Sequence, residues 1–275
     1  MGKLLPLLCK KTNTSKILQN LEEGIKKGDW VQLMPPFEGN QLVPSDLLPK
    51  GSGVVVASGG STGGRQYCLH PSTHLDQSAE DTGFWLQHQG IEPRNCLILN
   101  PLPIHHVSGL LPWWRSRCWG AEYISLSPEL MKDPLLLEDL FGYEGKKQAS
   151  ESIISLVPTQ LNRLLNHPTG LRWLRGFSVI WVGGAALSED LEKSSRDKGL
   201  RLSPCYGATE TAAMVTALSP KDFLEGSSGC GSPIGDVELR LASDGCLEVK
   251  TSRLAIARWN ENGLEKLCGD DGWWR

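Results

Sequence analysis

Val54-Val55-Val56-Ala57-Ser58-Gly59-Gly60-Ser61-Thr62-Gly63-Gly64-Arg65-Gln66 is a β-branched apolar run that breaks into glycines and hydroxyls, with a cation at its far end. An uninterrupted run of this kind reads as a strand buried on both faces, the habit of parallel sheets. The glycines open backbone conformations closed to other residues, so successive amide N–H groups can converge on an anion. Ser58, Ser61 and Thr62 add hydroxyl donors, and Arg65 adds a fixed charge suited to phosphate. The stretch therefore reads either as a phosphate-gripping loop or as a Gly/Ser surface turn. It is not a Walker A loop, because no Gly-Lys-Ser/Thr closes it.

Outward from this loop, strand and helix patterns alternate. An amphipathic helix over 12–28 ends near Gly28, and Trp30 begins an extended piece. After the loop, 72–89 reads as a helix with Leu75, Ala79, Phe84, Trp85 and Leu86 facing inward. Strands are expected at 96–99, 122–126, 153–157 and 178–182. Helices are expected near 109–118, 134–141, 159–166 (capped by Thr159) and 188–198. The last opens at Ser188 with acids in its first turn, as the helix dipole favours. This alternation predicts an α/β protein with a doubly wound, mainly parallel sheet. After about residue 200 the pattern changes to short strands, 202–206, 237–242 and 246–250, with Ser243-Asp244-Gly245 as a hairpin turn. We therefore expect a smaller β-rich subdomain beside the sheet.

The composition narrows the function class. A net charge of −3 over 275 residues gives no electrostatic footprint for nucleic acid. No stretch reaches the length of a membrane span, and Lys10-Lys11 cut short the apolar start, so 1–9 reads as mature sequence rather than a leader. The eight cysteines contain no C-x-x-C pair, which disfavours a zinc ribbon and suits reduced thiols in a cytoplasmic protein. His70 and His74 have metal-pair spacing, but Pro71 between them breaks the helix that spacing requires.

Four further stretches fall at expected strand ends, where ligands of open α/β sheets bind. Pro103-Ile104-His105-His106-Val107-Ser108-Gly109 sets histidines beside small residues, and Trp113-Trp114-Arg115 follows with one guanidinium among aromatics. Ser155-Leu156-Val157-Pro158-Thr159-Gln160-Leu161 reads as a strand passing through proline into a helix. Trp181-Val182-Gly183-Gly184-Ala185-Ala186 offers four residues without bulk, for a flat ligand or for tight packing. Tyr206-Gly207-Ala208-Thr209-Glu210-Thr211 compresses a stacking ring, a hydroxyl and a carboxylate able to ligate Mg²⁺ into a few residues.

These motifs, in this order, resemble those of the adenylate-forming superfamily: acyl-CoA synthetases, luciferases and nonribosomal adenylation domains. Residues 58–63 are similar to its phosphate loop and 206–211 to its Y-G-x-T-E motif. The stretches 103–109 and 155–161 are similar to those of the o-succinylbenzoate–CoA ligase branch. There are two departures. The family loop continues Gly-x-Pro-Lys, whereas here Gln66 takes the lysine position and Arg65, one place earlier, carries the charge. The chain also ends at Trp273-Trp274-Arg275, short of the family's Thr-x-Asp motif, hinge and mobile C-terminal domain. The resemblance thus implies a large N-terminal domain, divided as 1–50, 51–200 and 201–275, with the C-terminal mobile domain absent.

The activity so implied is an ATP-dependent ligase. A carboxylate, 2-succinylbenzoate in that branch, becomes an acyl-adenylate and is passed to CoA as co-substrate. Ser58, Gly59, Gly60, Ser61, Thr62, Gly63 and Arg65 would hold the β- and γ-phosphates. Tyr206 and Gly207 would meet the adenine, with Gly183, Gly184 and Ala185 bordering the nucleotide. Thr209 would bond the α-phosphate, Glu210 would hold Mg²⁺, and His106 rather than His105 would stand near the reacting carboxylate. Ser108, Gly109 and Arg115 would wall the acyl pocket, with Arg115 pairing a second carboxylate. Another acyl- or aryl-CoA synthetase would share every nucleotide motif. A non-catalytic nucleotide- or acyl-binding module is the alternative of a different class.

Overall fold

The computed structural model describes residues 3–37, 39–58, 66–137 and 151–275. The expected α/β architecture is present, and its strands are divided between two principal sheets. The first sheet runs in the order β1 (Leu4–Leu8), β2 (Trp30–Met34), β3 (Gly53–Ser58), β4 (Gln66–Pro71), β14 (Ala257–Asn260), β15 (Gly263–Lys266). Its first three strands are parallel and the rest antiparallel. In the second sheet, β6 (Glu122–Ser125), β5 (Cys96–Asn100), β7 (Glu151–Leu156), β8 (Val179–Val182) and β9 (Leu202–Ala208) are parallel neighbours. There β10 (Ala213–Ala217) and β11 (Ser232–Pro233) close the other edge antiparallel. A separate hairpin joins β12 (Glu238–Leu241) to β13 (Leu247–Lys250). Strands after residue 200 are thus shared among all three sheets.

Helices α1 (Thr14–Lys26), α2 (Ser72–His88) and α3 (Val107–Trp119) build the layer behind the first sheet. In α1, Ile17, Leu18 and Leu21 form one apolar stripe against Val31, Leu33, Val54 and Val56. Two helices lie between the sheets. Leu75 and Ala79 of α2, with Leu110, Leu111 and Trp114 of α3, pack on the first sheet's cluster. Leu86 belongs to the second sheet's cluster, with Trp85 and Trp119 packed against it. Phe84 was expected inward but is 60% exposed. At 100° per residue it sits opposite Leu75 on the helix, a position the apolar count alone does not exclude. The outer face of the second sheet is covered by Leu161, Leu164, Trp173, Leu174 and Leu191 from the helices that follow β7 and β8.

Three local details differ from the sequence pattern. The helix after β7 begins at Pro158, with Val157 rather than Thr159 at the cap position; the Gln160 side chain accepts from the Val157 N–H at 3.1 Å. Proline suits the first helical turn, where its missing N–H has no partner to lose. Leu4–Leu8 and Gln66–Pro71, without a strand assignment in the sequence, both pair in the first sheet. The part of the expected 134–141 helix that is described, Pro134–Leu137, is a single 3₁₀ turn; 138–141 lie outside the described residues. Among the described residues no helix is long and apolar enough to cross a membrane.

Candidate active site

The motif 206–211 sits on the hairpin between β9 and β10, the turn itself being Thr209-Glu210-Thr211-Ala212. Ala212 and Ala213 have φ of 53° and 76°, a left-handed conformation costly to a residue with a Cβ. Among the described residues, three of the four carbonyls of this turn, and the two that follow it, have a donor. The Ser78 hydroxyl donates to Ala212 O at 2.6 Å, and the Thr211 hydroxyl donates to Ala213 O at 2.6 Å. The Ala255 N–H donates to Glu210 O at 2.7 Å, and Arg253 donates to Met214 O at 3.1 Å. His70 Nε2 lies 2.7 Å from Thr209 O. Burial pushes the His70 imidazole down to about 4, so the ring is neutral, and a carbonyl partner requires its proton on Nε2. Strain is thus fixed at the point where the chain presents Thr209 and Glu210. Gly207 is required for the same closeness: a Cβ there would meet Ala213 O at 2.1 Å.

The first sheet faces this turn with alternate residues. Side chains of a strand alternate between faces, and directly paired residues share one. Val54 and Val56 face the helices, so Ser58 does too. By register so do Gln66 opposite Ser58, Cys68 opposite Val56, and His70 opposite Val54. Arg258, opposite Cys68, and Glu265, opposite Arg258, continue the row. Above the row lies the buried Glu210 carboxylate, 3.8 Å from Arg258 Nη1. That separation is an ion pair beyond hydrogen-bond length, so the carboxylate keeps acceptor capacity for a hard cation. Among the described residues no group of three or more His, Cys, Asp or Glu could cage a metal. A single carboxylate suits Mg²⁺, which retains waters and shares phosphate oxygens.

Beside the turn opens a cavity of about 380 Å³. Its floor is the carboxyl ends of β7, β8 and β9, contributing Ser155, Trp181, Gly183, Gly184, Cys205, Gly207 and Thr209. The first turns of α3 close it with His106, Ser108, Leu111 and Arg115. His106 occupies the cap position of α3, and its carbonyl accepts from Gly109 and Leu110 at 3.0 and 2.9 Å, which aims the ring from a rigid base. Its side chain is exposed at the cavity, and the desolvation it does undergo there lowers its pKa below the ordinary imidazole value. The Cys205 thiol is pushed up to about 12, chiefly by burial, and stays protonated.

Arg115 is 2% exposed. Its guanidinium carbon lies 5.0 Å from the Trp181 ring centroid, and among the described residues its Nε and Nη2 have no acceptor. Burial pushes its pKa down to about 9, Cys205 opposing and Arg253 adding to the shift. A buried cation without a counter-charge is costly.

The structure thus gathers His106, Ser108, Arg115, Gly183, Gly184, Gly207 and Thr209 around one cavity. Ser58 lies on the neighbouring row with Glu210 above it, and Tyr206 is partly exposed on β9. Ala185 is exposed beyond Gly184 and does not line the cavity. Gly109 does not line it either; a Cβ there would strike Pro103 O at 2.1 Å, so its role is the packing of α3 on the preceding loop. Gly59, Gly60, Ser61, Thr62, Gly63 and Arg65 lie outside the described residues. The two adjacent histidines keep their rings in contact, centroids 4.4 Å apart, but line different cavities. His105 is buried and turned to a different crevice, beside Lys10, Asn13 and Ser127. His70 and His74 bond the carbonyls of Thr209 and Leu254. Sequence reasoning missed Cys205 in the cavity and Arg258 on the row; Arg258 comes from a distant strand, with no local pattern to flag it.

Comparison with known proteins adds a family. A family model described as AMP-binding enzyme matches residues 14–252. The 2-succinylbenzoate–CoA ligase of Escherichia coli K12 is 30% identical over 173 residues, covering 63% of this chain and 34% of the relative. That of Enterococcus faecalis is 25% identical over 242 residues, covering 84% and 47%. Among solved structures, wild-type E. coli MenE with a bound phenylether-linked analogue of OSB-AMS superposes with a TM-score of 0.67 at 22% identity, covering 99% of this chain and 63% of that one. The Bacillus subtilis enzyme in complex with ATP and magnesium ion gives 0.66 at 18%, covering 99% and 68%. At these identities the structural likeness establishes the fold. The chain spans between a third and a half of the length of these curated relatives.

Proposed function

We propose, on the premise that this chain belongs to the AMP-binding enzyme family, that it forms the nucleotide- and acid-binding part of an AMP-forming acid–thiol ligase whose acid is 2-succinylbenzoate. The relatives that share its sequence carry that activity by name. In the reaction, a carboxylate oxygen attacks the α-phosphorus of ATP in line and pyrophosphate leaves. The thiol of CoA then attacks the acyl carbon and AMP leaves. The barrier is charge on the phosphoryl oxygens, so positioned donors do most of the work.

The residues divide that work by position. The Thr209 hydroxyl, on its braced turn, donates to the α-phosphate. His106 donates to the reacting carboxylate from the rigid start of α3. The backbone at Gly183 and Gly184 lets the nucleotide lie close, with Tyr206 stacking on the base. Glu210 holds Mg²⁺, which when bound offsets the polyphosphate charge. Ser58 and residues 59–65 hold the outer phosphates.

One observation carries the choice of acid. Arg115 is a buried, acceptor-poor guanidinium at the wall of the cavity that also holds His106 and Thr209. A second carboxylate on the substrate would complete it with paired charge-assisted hydrogen bonds. The expected result is pyrophosphate release with 2-succinylbenzoate well above that with benzoate or a fatty acid. Arg115→Met should lower the 2-succinylbenzoate rate about 100-fold, the loss of one buried charge partner. Full turnover of 2-succinylbenzoate by Arg115→Met would sink the assignment.

A further inference from the structure

Arg258 carries more donors than its neighbours satisfy. Its Nη1 donates to the Gln66 amide oxygen at 3.3 Å and lies 3.8 Å from Glu210; its Nη2 lies 3.6 Å from Glu265. Its Nε is buried with no acceptor among the described residues. These contacts are loose. Arg240, an ion pair of the surface hairpin, by contrast donates to Glu248 at 2.6 Å and to Asp271 at 3.2 Å. A guanidinium offers five N–H groups in a planar fork suited to phosphate. Among the described residues, one of those on Arg258 has a hydrogen-bond partner.

The position of Arg258 matters as much as its free donors. Ser58 and Gln66 pair directly, so the strand ends that bracket residues 59–65 in the chain lie side by side. Arg258 stands two residues along the same face, opposite Cys68, between that pair and the motif carboxylate of Glu210. Gln66 itself occupies the lysine position of the resembled phosphate loop, and its amide oxygen accepts from Arg258. The charge missing from position 66 is therefore delivered to the same place from β14. A carboxylate and a guanidinium 3.8 Å apart, unbonded to each other, match the two signs of a metal–polyphosphate.

We propose that Arg258 is a phosphate-binding residue of this site, recognising the β- and γ-phosphoryl groups of a nucleoside triphosphate, with Gln66 orienting its guanidinium. This rests on the nucleotide reading given above and adds to it a cation from outside the sequence motifs.

The test is calorimetric titration of the 275-residue chain with ATP·Mg²⁺ and, separately, with AMP, for wild type, Arg258→Met and Arg258→Lys. Thermal unfolding of each variant checks the fold, and Arg258→Gln replaces Arg258→Met should the latter not fold. The expected result is ATP·Mg²⁺ affinity lowered about 10- to 100-fold in Arg258→Met, the loss of a charge-assisted contact, with AMP affinity within about twofold. Arg258→Lys should fall between, keeping the charge and losing the fork. Equal weakening of ATP and AMP, or no change in either, overturns the assignment while leaving the nucleotide site standing. A wild type that binds neither ligand overturns the nucleotide reading, and the role of Arg258 with it.

Discussion

Arg253 and Arg115 are both withdrawn from solvent, 0% and 2% exposed, yet their surroundings are opposite. Arg253 pairs with Asp81 at 3.4 Å, donates to the Ser78 hydroxyl at 3.0 Å and to Met214 O at 3.1 Å. It thereby ties α2, β10 and the chain before β14 into one buried node. Arg115 lies against the face of Trp181 and borders the cavity, with two of its nitrogens lacking acceptors among the described residues. Folding alone does not retain a buried charge of the second kind, because its desolvation is not offset. The pair teaches how to separate a structural cation from one we propose to bind a ligand: by the counter-charges around each, since burial is equal.

The largest expected effect lies at the partnered site. Arg253→Met leaves the Asp81 carboxylate buried without its cation and should cost about 3–5 kcal/mol of stability, read from urea unfolding midpoints. Asp81→Leu combined with Arg253→Met should recover part of that loss, since removing both charges is less costly than removing one. A single-variant loss below about 1 kcal/mol would put Arg253 in the same class as Arg115 and break the comparison.

His70 sharpens it with a buried group that is partnered and neutral. Its ring donates to Thr209 O, and burial holds its pKa near 4, against about 6.5 in an unfolded chain. Between those values the unfolded state binds the extra proton. Stability is therefore fully present above about 6.5 and lost as pH falls toward 4, by about 3 kcal/mol in total. His70→Gln should flatten that part of the stability profile in urea unfolding at stepped pH. An unchanged slope would assign the acid sensitivity elsewhere.

Much of this arrangement was legible before any coordinates. The run 54–58 is a buried strand because its β-branched residues need both faces covered. Ser188 accepts from the Leu191 N–H as a helix cap, and His106, Thr209 and Arg115 share a cavity. What escaped the pattern is nonlocal. The strand Gln66–Pro71 mixes histidine, cysteine and proline, so only its pairing with β3 makes it a strand. Division into two sheets follows from register between distant segments, which no window along the chain contains. Arg258 reaches the site for the same reason, carried by antiparallel pairing from β14. The node around Arg253 was invisible because Ser78, Asp81 and Met214 are ordinary residues until the fold joins them.

The smallest expected effect lies at Arg115 in the ligand-free protein, and it is the most decisive for the contrast. Arg115→Met fills similar volume, removes an uncompensated buried charge, and leaves no acceptor newly orphaned, since its Nε and Nη2 bonded none among the described residues. Unfolding stability should therefore be unchanged within about 0.5 kcal/mol, or should rise, as when buried charges give way to packed apolar side chains. On the proposed function, the same variant is expected to lose turnover of 2-succinylbenzoate. A stability loss comparable to that of Arg253→Met would mean that Arg115 holds the fold together, and the proposed pairing of Arg115 with a substrate carboxylate would fall. Unchanged stability with lost turnover would instead show that the free energy of this buried guanidinium is kept for a ligand.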